Sequence, residues 1–374
     1  MSTTVSPQTF VPYRLQFLDV MKGGIMILLA AEMCQVYSAF YYLPATGIGK
    51  LIVDQFYHHA WHGLHFWDLV QPSFMLIAGT AMYISFARKE QQGISWRDNL
   101  PHILNRVAKL FVLGMVILSI QAGKVVWEYY NVLSQLAFTT LIAYLIIRRS
   151  ITFMLLFSLA LIVVTELCYR YFPLPGYADP FGSMEHNFGA WLDTFIVGYK
   201  NQYGWVTFNA VPTTAHTIWG VCIGKVLFAE STKLKKLQTM ILCGVIGLVI
   251  GYTLDWSGFS PVIKRICTSA FIFASGGWVL LIMAFIYWLT DIKAWNKYAW
   301  IFTVVGMNAI FIYLFFETVG YKWLNGAVAV YAGWFLDLFR FSVGVKAIGV
   351  AFVVLLAEWY LCYWLYKKKI FFKL

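Results

Sequence analysis

Long apolar segments separated by short polar ones recur along the whole chain. A bilayer core about 30 Å thick needs roughly 20 apolar residues in a helix. A weakly apolar stretch at residues 324–338 is too short to span the bilayer and is interrupted by Gly, and it is interpreted as a re-entrant or interfacial helix. The pattern predicts an all-α polytopic membrane protein, a single domain over residues 1–374, with about ten transmembrane helices. The predicted spans are residues 20–42, 66–87, 105–122, 131–147, 151–168, 210–229, 237–254, 266–290, 299–317 and 343–366.

Composition supports a membrane protein. Apolar residues make up 60% of the chain and charged residues 12%, against about 25% charged in soluble domains. Too few polar residues are present to cover an aqueous surface, which excludes soluble globular, disordered and collagenous classes. The six cysteines are scattered with no C-x-x-C pair, and so indicate neither disulfides nor a zinc framework.

The net charge of +11 is distributed as in a multi-span protein. Lys and Arg cluster between apolar runs rather than in a basic stripe. No nucleic-acid partner is therefore expected, and the expected partner is the lipid bilayer. Of the 28 basic residues, 19 fall on the side of the N-terminus. The positive-inside rule then predicts that both termini are cytoplasmic. Three long non-cytoplasmic connections follow, at residues 43–65, 169–209 and 318–342.

The first of these connections holds the densest polar chemistry. His58, His59, His62 and His65 fall within eight residues, shortly before Asp68 and a predicted span. Histidine titrates near neutrality and suits proton transfer to or from an amine or hydroxyl. The alternative is an interfacial cluster that binds lipid headgroups and loop backbone. On a helix, three of the histidines would share one face, but the spacing is no recognised zinc signature and no metal is expected.

Ionisable residues inside predicted spans are the next signal, because burying a charge in hydrocarbon is costly. Four of them are singled out, namely Glu32, His216, Glu317 and Glu358. Each is either functional or a structural partner of a neighbouring helix. Glu32 stands out because its span leads into the histidine loop, where a carboxylate and an imidazole would form an acid/base pair.

Five short motifs occur in order from residue 14 to the last residue. They are residues 14–23 (RLQFLDVMKG), 58–79 (HHAWHGLHFWDLVQPSFMLIAG), 187–198 (NFGAWLDTFIVG), 306–317 (GMNAIFIYLFFE) and 365–374 (LYKKKIFFKL). Together they resemble the heparan-alpha-glucosaminide N-acetyltransferase family and its bacterial homologues. The resemblance covers essentially the whole chain.

The resemblance implies that the single domain is a transmembrane acyltransferase. Such a protein moves an acetyl group from cytoplasmic acetyl-CoA to an amino sugar or glycan on the other side, by N- or O-acetylation. The expected location is integral and multi-pass, in the inner membrane of a bacterium. A small-molecule or glycan acceptor is the expected partner, and a homodimer would suit the family.

The resemblance also implies site residues. His58 matches the family's active-site histidine, and His59 takes its place if the register slips by one. Glu32 or Asp68 would orient the imidazole. Lys264, Asn308, Glu317 and His59 are assigned to binding of substrate or acetyl-CoA, with Asn308 or Lys264 stabilising the oxyanion.

The sequence departs from the family pattern in the first span, where the family's asparagine falls at or beside Met33 and Glu32 is adjacent. An arginine is also lost near Gln135. Two alternatives stay open. One is a proton-coupled secondary transporter of a sugar or organic acid that uses Glu32, His58 and Glu317, although the two halves show no self-similarity. The other is a protein that has kept the fold and lost the activity.

Overall fold

Helices form almost all of the regular structure in the computed structural model, which describes residues 15–43, 46–172 and 179–372. Arg14 of the first motif and residues 373–374 of the last lie outside the described residues. No β-strand occurs in the described ranges, and one antiparallel bridge joins His62 and Ile263. The helices are α1 (Gln16–Met33), α2 (Val36–Phe40), α3 (Ile48–Asp54), α4 (Val70–Gln91), α5 (Trp96–Ala122), α6 (Val132–Leu145), α7 (Ile151–Tyr171), α8 (Phe188–Ile196), α9 (Ala210–Phe228), α10 (Lys233–Trp256), α11 (Ser269–Tyr287), α12 (Ala299–Gly306), α13 (Ala309–Phe315), α14 (Asn325–Asp337) and α15 (Val343–Lys367).

The predicted all-helical membrane architecture is confirmed, but the count of ten spans is not. Within the described residues, six helices are long and apolar enough to cross a membrane, and a bent pair makes a seventh. The first predicted span is divided because α1 ends at Met33 and Gln35 adopts a left-handed conformation with φ 67°. The six helices that are long and apolar enough to cross a membrane are Phe66–Gln91, Trp96–Ala122, Ile151–Tyr171, Lys233–Trp256, Ser269–Ile292 and Val343–Lys367.

The predicted ninth span is broken after Gly306. The chain bends by 74° there, and the second arm runs helically from Ala309 to Asp337. This arm includes a π-helical segment, Phe316–Leu324, that leads directly into α14. The short helix predicted at 324–338 is present as α14 (Asn325–Asp337), but it follows the π-helical segment without a break instead of standing alone within a connection.

Close backbone contact joins α4 to α9. A Cβ atom added to Gly79 would lie 2.0 Å from the carbonyl oxygen of Thr217, and one added to Gly220 would lie 2.2 Å from that of Leu76. Small residues allow helices in membranes to approach in this way. The pair is therefore fixed at the level of the backbone, and α4 begins at the histidine loop.

Candidate active site

Asp68 anchors the histidine loop. It is fully buried in a 3₁₀ turn, Phe66–Leu69, that precedes α4. Its Oδ2 accepts hydrogen bonds from the backbone N–H of His65 at 2.8 Å and of His59 at 3.2 Å. A carboxylate accepts such bonds strongly, so the loop folds around this side chain.

His58 is held by the other oxygen of the same carboxyl group. Its Nδ1 lies 2.9 Å from Oδ1 of Asp68. The histidine side chain keeps 33% of its surface exposed while Asp68 has none. Because Nδ1 is occupied by the buried carboxylate, Nε2 is the ring nitrogen left for a substrate.

Lys264 reaches the same pair from the connection between α10 and α11. Its Nζ lies 3.0 Å from Nδ1 of His58 and 3.6 Å from Oδ1 of Asp68, and the side chain is buried. Nδ1 either carries a proton and donates it to Asp68, or lacks one and accepts from Lys264. The position of this single proton decides whether Nε2 can act as a base.

Burial sets the charge state of this centre. Burial, with the charge of Lys264 second, lowers the pKa of His58 to about 4, although the hydrogen bond to Asp68 works in the opposite direction. Burial also lowers the pKa of Lys264, against the attraction of Asp68. The charged form of a partly buried imidazole beside a cation is disfavoured, so His58 is neutral at neutral pH and able to accept a proton.

The histidine loop and the α10–α11 connection form one unit. The backbone N–H of Gly63 donates to the carbonyl oxygen of Val262 at 2.8 Å, beside the bridge between His62 and Ile263. Nε2 of His62 lies 2.7 Å from Oδ1 of Asp255, and that oxygen also accepts from the N–H of Val262 at 2.9 Å. These contacts hold Lys264 against the loop.

A buried carboxylate that the sequence reasoning missed supports the same connection. Glu166 accepts hydrogen bonds from Nε of Arg170 at 2.7 Å, from Oγ of Ser260 at 3.2 Å and from Oγ of Ser269 at 2.5 Å. The two serines flank the segment that carries Lys264. The signal was available, because Glu166 is an ionisable residue inside the predicted span 151–168.

Aromatic rings enclose His58. The Trp205 ring meets the imidazole edge to face at 5.3 Å, and the Trp67 ring lies at 6.5 Å. Lys264 and Arg265 each lie 5.5 Å from the centre of the Trp205 ring. Trp205 was also missed, since nothing in its sequence context distinguishes it from the other tryptophans.

Glu32 and His59 lie at the edge of the centre. Glu32 lies beside the Trp67 side chain and within electrostatic reach of Lys264, whereas Asp68 is the carboxylate that contacts His58. The His59 ring packs against His65 with 4.7 Å between ring centres, and its buried Nδ1 has no hydrogen-bond partner among the described residues. Of the two histidines, His58 is the one held by a carboxylate side chain.

Asn308 and Glu317 have other partners. The fully buried Asn308 amide donates to the carbonyl oxygen of Ile370 and accepts from the N–H of Phe372, both at 3.0 Å. Glu317 accepts from Nε2 of Gln121 at 2.6 Å. Among the assigned residues, the structure therefore brings His58, Asp68 and Lys264 into contact. Asn308 contacts the C-terminal segment instead, and Glu317 lies within electrostatic reach of Glu32.

A cavity of about 450 Å³ lies further along the bundle. Its lining includes Lys22, Phe74, Ser85, Arg106 and Tyr313. Nε of Arg106 is buried without a hydrogen-bond partner in the described part of the chain. Ser85 is fifteen residues beyond the start of α4, or about 22 Å at the rise of an α-helix. The cavity therefore has a cationic end that is remote from His58.

A second cavity adjoins the first at this cationic end. It measures about 440 Å³, shares Lys22 and Ser85, and adds one carboxylate, Asp19, and two cations, Arg88 and Lys89. The basic residues of both cavities come from the early part of α1, the end of α4 and α5. Together they offer a site for an anionic group.

The histidines do not assemble a metal site. His58, His62 and His65 contact Asp68, Asp255 and the Tyr57 carbonyl oxygen, respectively. Within residues 15–43, 46–172 and 179–372, no group of three or more His, Cys, Asp or Glu side chains is placed to hold a metal ion.

The fold and the site define a multi-pass membrane protein with a histidine, carboxylate and lysine centre at one end of its bundle. Residues 14–254 match the family described as heparan-alpha-glucosaminide N-acetyltransferase, catalytic. The match covers nearly two thirds of the chain, and the chain belongs to this family of transmembrane acetyltransferases, as its motifs predicted. A comparison with curated proteins gives no match. The family match includes His58 and Asp68 but ends before Lys264, so contact with Lys264 is a finding of the structure.

Proposed function

We propose that the protein transfers an acetyl group from acetyl-CoA to the amine of an amino sugar or glycan, across the membrane. The donor enters the Lys22 and Arg106 cavity from the cytoplasm, and the acceptor reaches His58 from the other side. The observation that carries the proposal is the hydrogen bond between His58 and the fully buried Asp68. It holds a neutral imidazole where a proton acceptor is needed.

The proposed chemistry uses His58 as the proton carrier. The acceptor nitrogen attacks the thioester carbonyl carbon, so that a C–N bond forms and the C–S bond breaks. Nε2 of His58 takes the proton from the nitrogen and gives it to the departing thiolate, and the imidazole ends as neutral as it began. Asp68 keeps the proton on Nδ1 and stabilises the transient imidazolium.

The cavity suits the donor in charge and position. The phosphates of acetyl-CoA would meet Lys22 and Arg106. The thioester end would extend along α1 toward Glu32, which is ten residues beyond Lys22, or about 15 Å at the rise of an α-helix. This arrangement requires the cationic end to face the cytoplasm, and the charge bias supports the same topology, with both termini cytoplasmic.

The test is acetyl transfer by purified protein in lipid vesicles. Labelled acetyl-CoA is supplied with glucosamine or with glucose, which lacks the amine. We expect labelled product with glucosamine, loss of product in His58→Ala, and normal product in His102→Ala, which removes an exposed histidine from α5. Undiminished transfer by His58→Ala would contradict the mechanism. Sugar uptake without acetylation would indicate a carrier instead.

A further inference from the structure

The last described residues fold back onto the break between α12 and α13. The α15 helix ends at Lys367, and Lys369 adopts a left-handed conformation with φ 57°, which reverses the chain. Residues 370–372 then reach Asn308, whose side-chain amide makes two reciprocal hydrogen bonds of 3.0 Å with the backbone of Ile370 and Phe372. This contact joins residues more than sixty positions apart.

Asn308 specifies the position of this segment. The residue is fully buried, and a buried amide without partners is strongly destabilising. In the described structure, the C-terminal backbone supplies a partner for both its oxygen and its nitrogen. Displacing the segment would therefore leave two buried polar atoms without hydrogen bonds.

The same segment forms part of a cavity wall. The Phe372 ring stacks on Phe311 with 4.9 Å between ring centres and 19° between planes. Phe372 lines the cavity of about 450 Å³ that also contains Lys22 and Arg106. Its side chain is half exposed, as expected for a residue at the rim. The three residues before the segment, 367–369, are exposed lysines and add positive charge on this part of the chain.

We propose that residues 370–372, latched by Asn308, form a wall of the acetyl-CoA cavity and that Asn308 is a positioning residue for donor binding. The inference rests on the proposed function and assigns its donor site a part that lies outside the family match. In this role, the latch sets the affinity for the donor. It leaves the proton transfer at His58 unchanged.

The experiment compares two variants with matched controls. Asn308→Ala removes the latch, and Phe372→Ala removes only the rim ring, which should not impair folding. Asn325→Ala removes a similar bond, from Nδ2 to the Met33 carbonyl oxygen at 2.7 Å. Phe341→Ala removes an exposed ring stacked on Phe339. Neither Asn325 nor Phe341 lines the cavity.

We expect the Kd of labelled CoA and the KM for acetyl-CoA to rise about fivefold in both test variants, because a stacking pair or hydrogen bond contributes a factor of this order. The kcat should stay within about twofold. Asn308→Asp, which keeps the acceptor for the Phe372 N–H, should restore part of the affinity. The two controls should match the wild type.

Hydrogen exchange at the Phe372 amide gives a readout that does not depend on CoA. Exchange should accelerate in Asn308→Ala and not in Asn325→Ala. Faster exchange with unchanged CoA affinity would overturn the inference and leave the proposed function intact. A wild-type protein that neither binds CoA nor transfers acetyl groups would overturn the proposed function, and this inference with it.

Discussion

The two ends of the helical bundle use buried charge in opposite ways. At the histidine centre, Asp68, His58 and Lys264 lie within 3.6 Å of one another, so each of these three side chains has a charged or polar partner. At the cavity, Nε of Arg106 is buried and has no hydrogen-bond partner among the described residues. A group that moves a proton must be held in place, whereas a group that binds an incoming anion keeps donors available for it.

Residue chemistry makes burial act differently at the two ends. Burial keeps His58 neutral by lowering its pKa to about 4, which suits a proton acceptor. Burial does not neutralise an arginine in this way, because the guanidinium group stays protonated in proteins. Arg106 therefore remains a cation in a cavity, and an anionic ligand bound there would offset the cost of its desolvation. The comparison predicts that substitutions at the His58 centre lower kcat, whereas substitutions at the Arg106 cavity raise the KM for the donor.

Removing the imidazole should produce the largest effect. His58→Ala is expected to lower kcat about 10³-fold, within the range for loss of a general base. The Kd of CoA should not change, because His58 is remote from the cationic cavity. Rates of labelled product formation and equilibrium binding of CoA check this. A large loss of CoA affinity in the variant would contradict the prediction that the His58 centre and the donor cavity act separately.

Replacing the buried carboxylate should produce the next largest effect. In Asp68→Asn the amide can donate to Nδ1, which leaves the proton on Nε2 and the imidazole in the wrong tautomer. A fall in kcat of about 10²-fold is expected, by analogy with the tautomer argument for catalytic triads. The control is Asp54→Asn, which removes an exposed ion pair with Lys50 and should have little effect. Equal losses in both variants would contradict the role of Asp68.

Neutralising the cavity should affect donor binding alone. Arg106→Met is expected to raise the KM for acetyl-CoA about tenfold, since a charge-assisted bond to phosphate contributes roughly this factor, with kcat unchanged. The KM should also become less sensitive to salt. Arg97→Met, at an exposed position on the same helix, is the control. A fall in kcat instead of a rise in KM would show that the two ends are not separate.

The sequence could predict the parts of this molecule that local pattern determines. Apolar runs of bilayer length indicated the helices, because a lipid environment leaves few other ways to satisfy the backbone. The sequence left Glu32 and Asp68 as alternative partners of His58, and the structure places Asp68 in contact with the imidazole. Both the membrane class and the family are confirmed.

Contacts between distant segments could not be predicted in this way. Lys264 lies 206 positions from His58, and its contact with the loop depends on the long-range bridge that joins His62 to Ile263. The 74° bend after Gly306 is invisible to hydropathy because both arms are apolar. Motif order carries no information about depth in the membrane, so it could not show that Asn308 contacts the backbone of residues 370 and 372 and not His58.

The smallest effect should come from removing the positive charge beside the imidazole of His58. The positive charge of Lys264 disfavours protonation of His58 and so helps to hold its pKa near 4. Lys264→Met removes that charge while Asp68, which favours the imidazolium, remains. The pKa should rise, and the acidic limb of the pH profile of kcat/KM should move to higher pH. Profiles of the wild type, Lys264→Met and the exposed control Lys50→Met test this. An unmoved limb would mean that Lys264 acts only by position, and a limb at lower pH would contradict its contact with Nδ1.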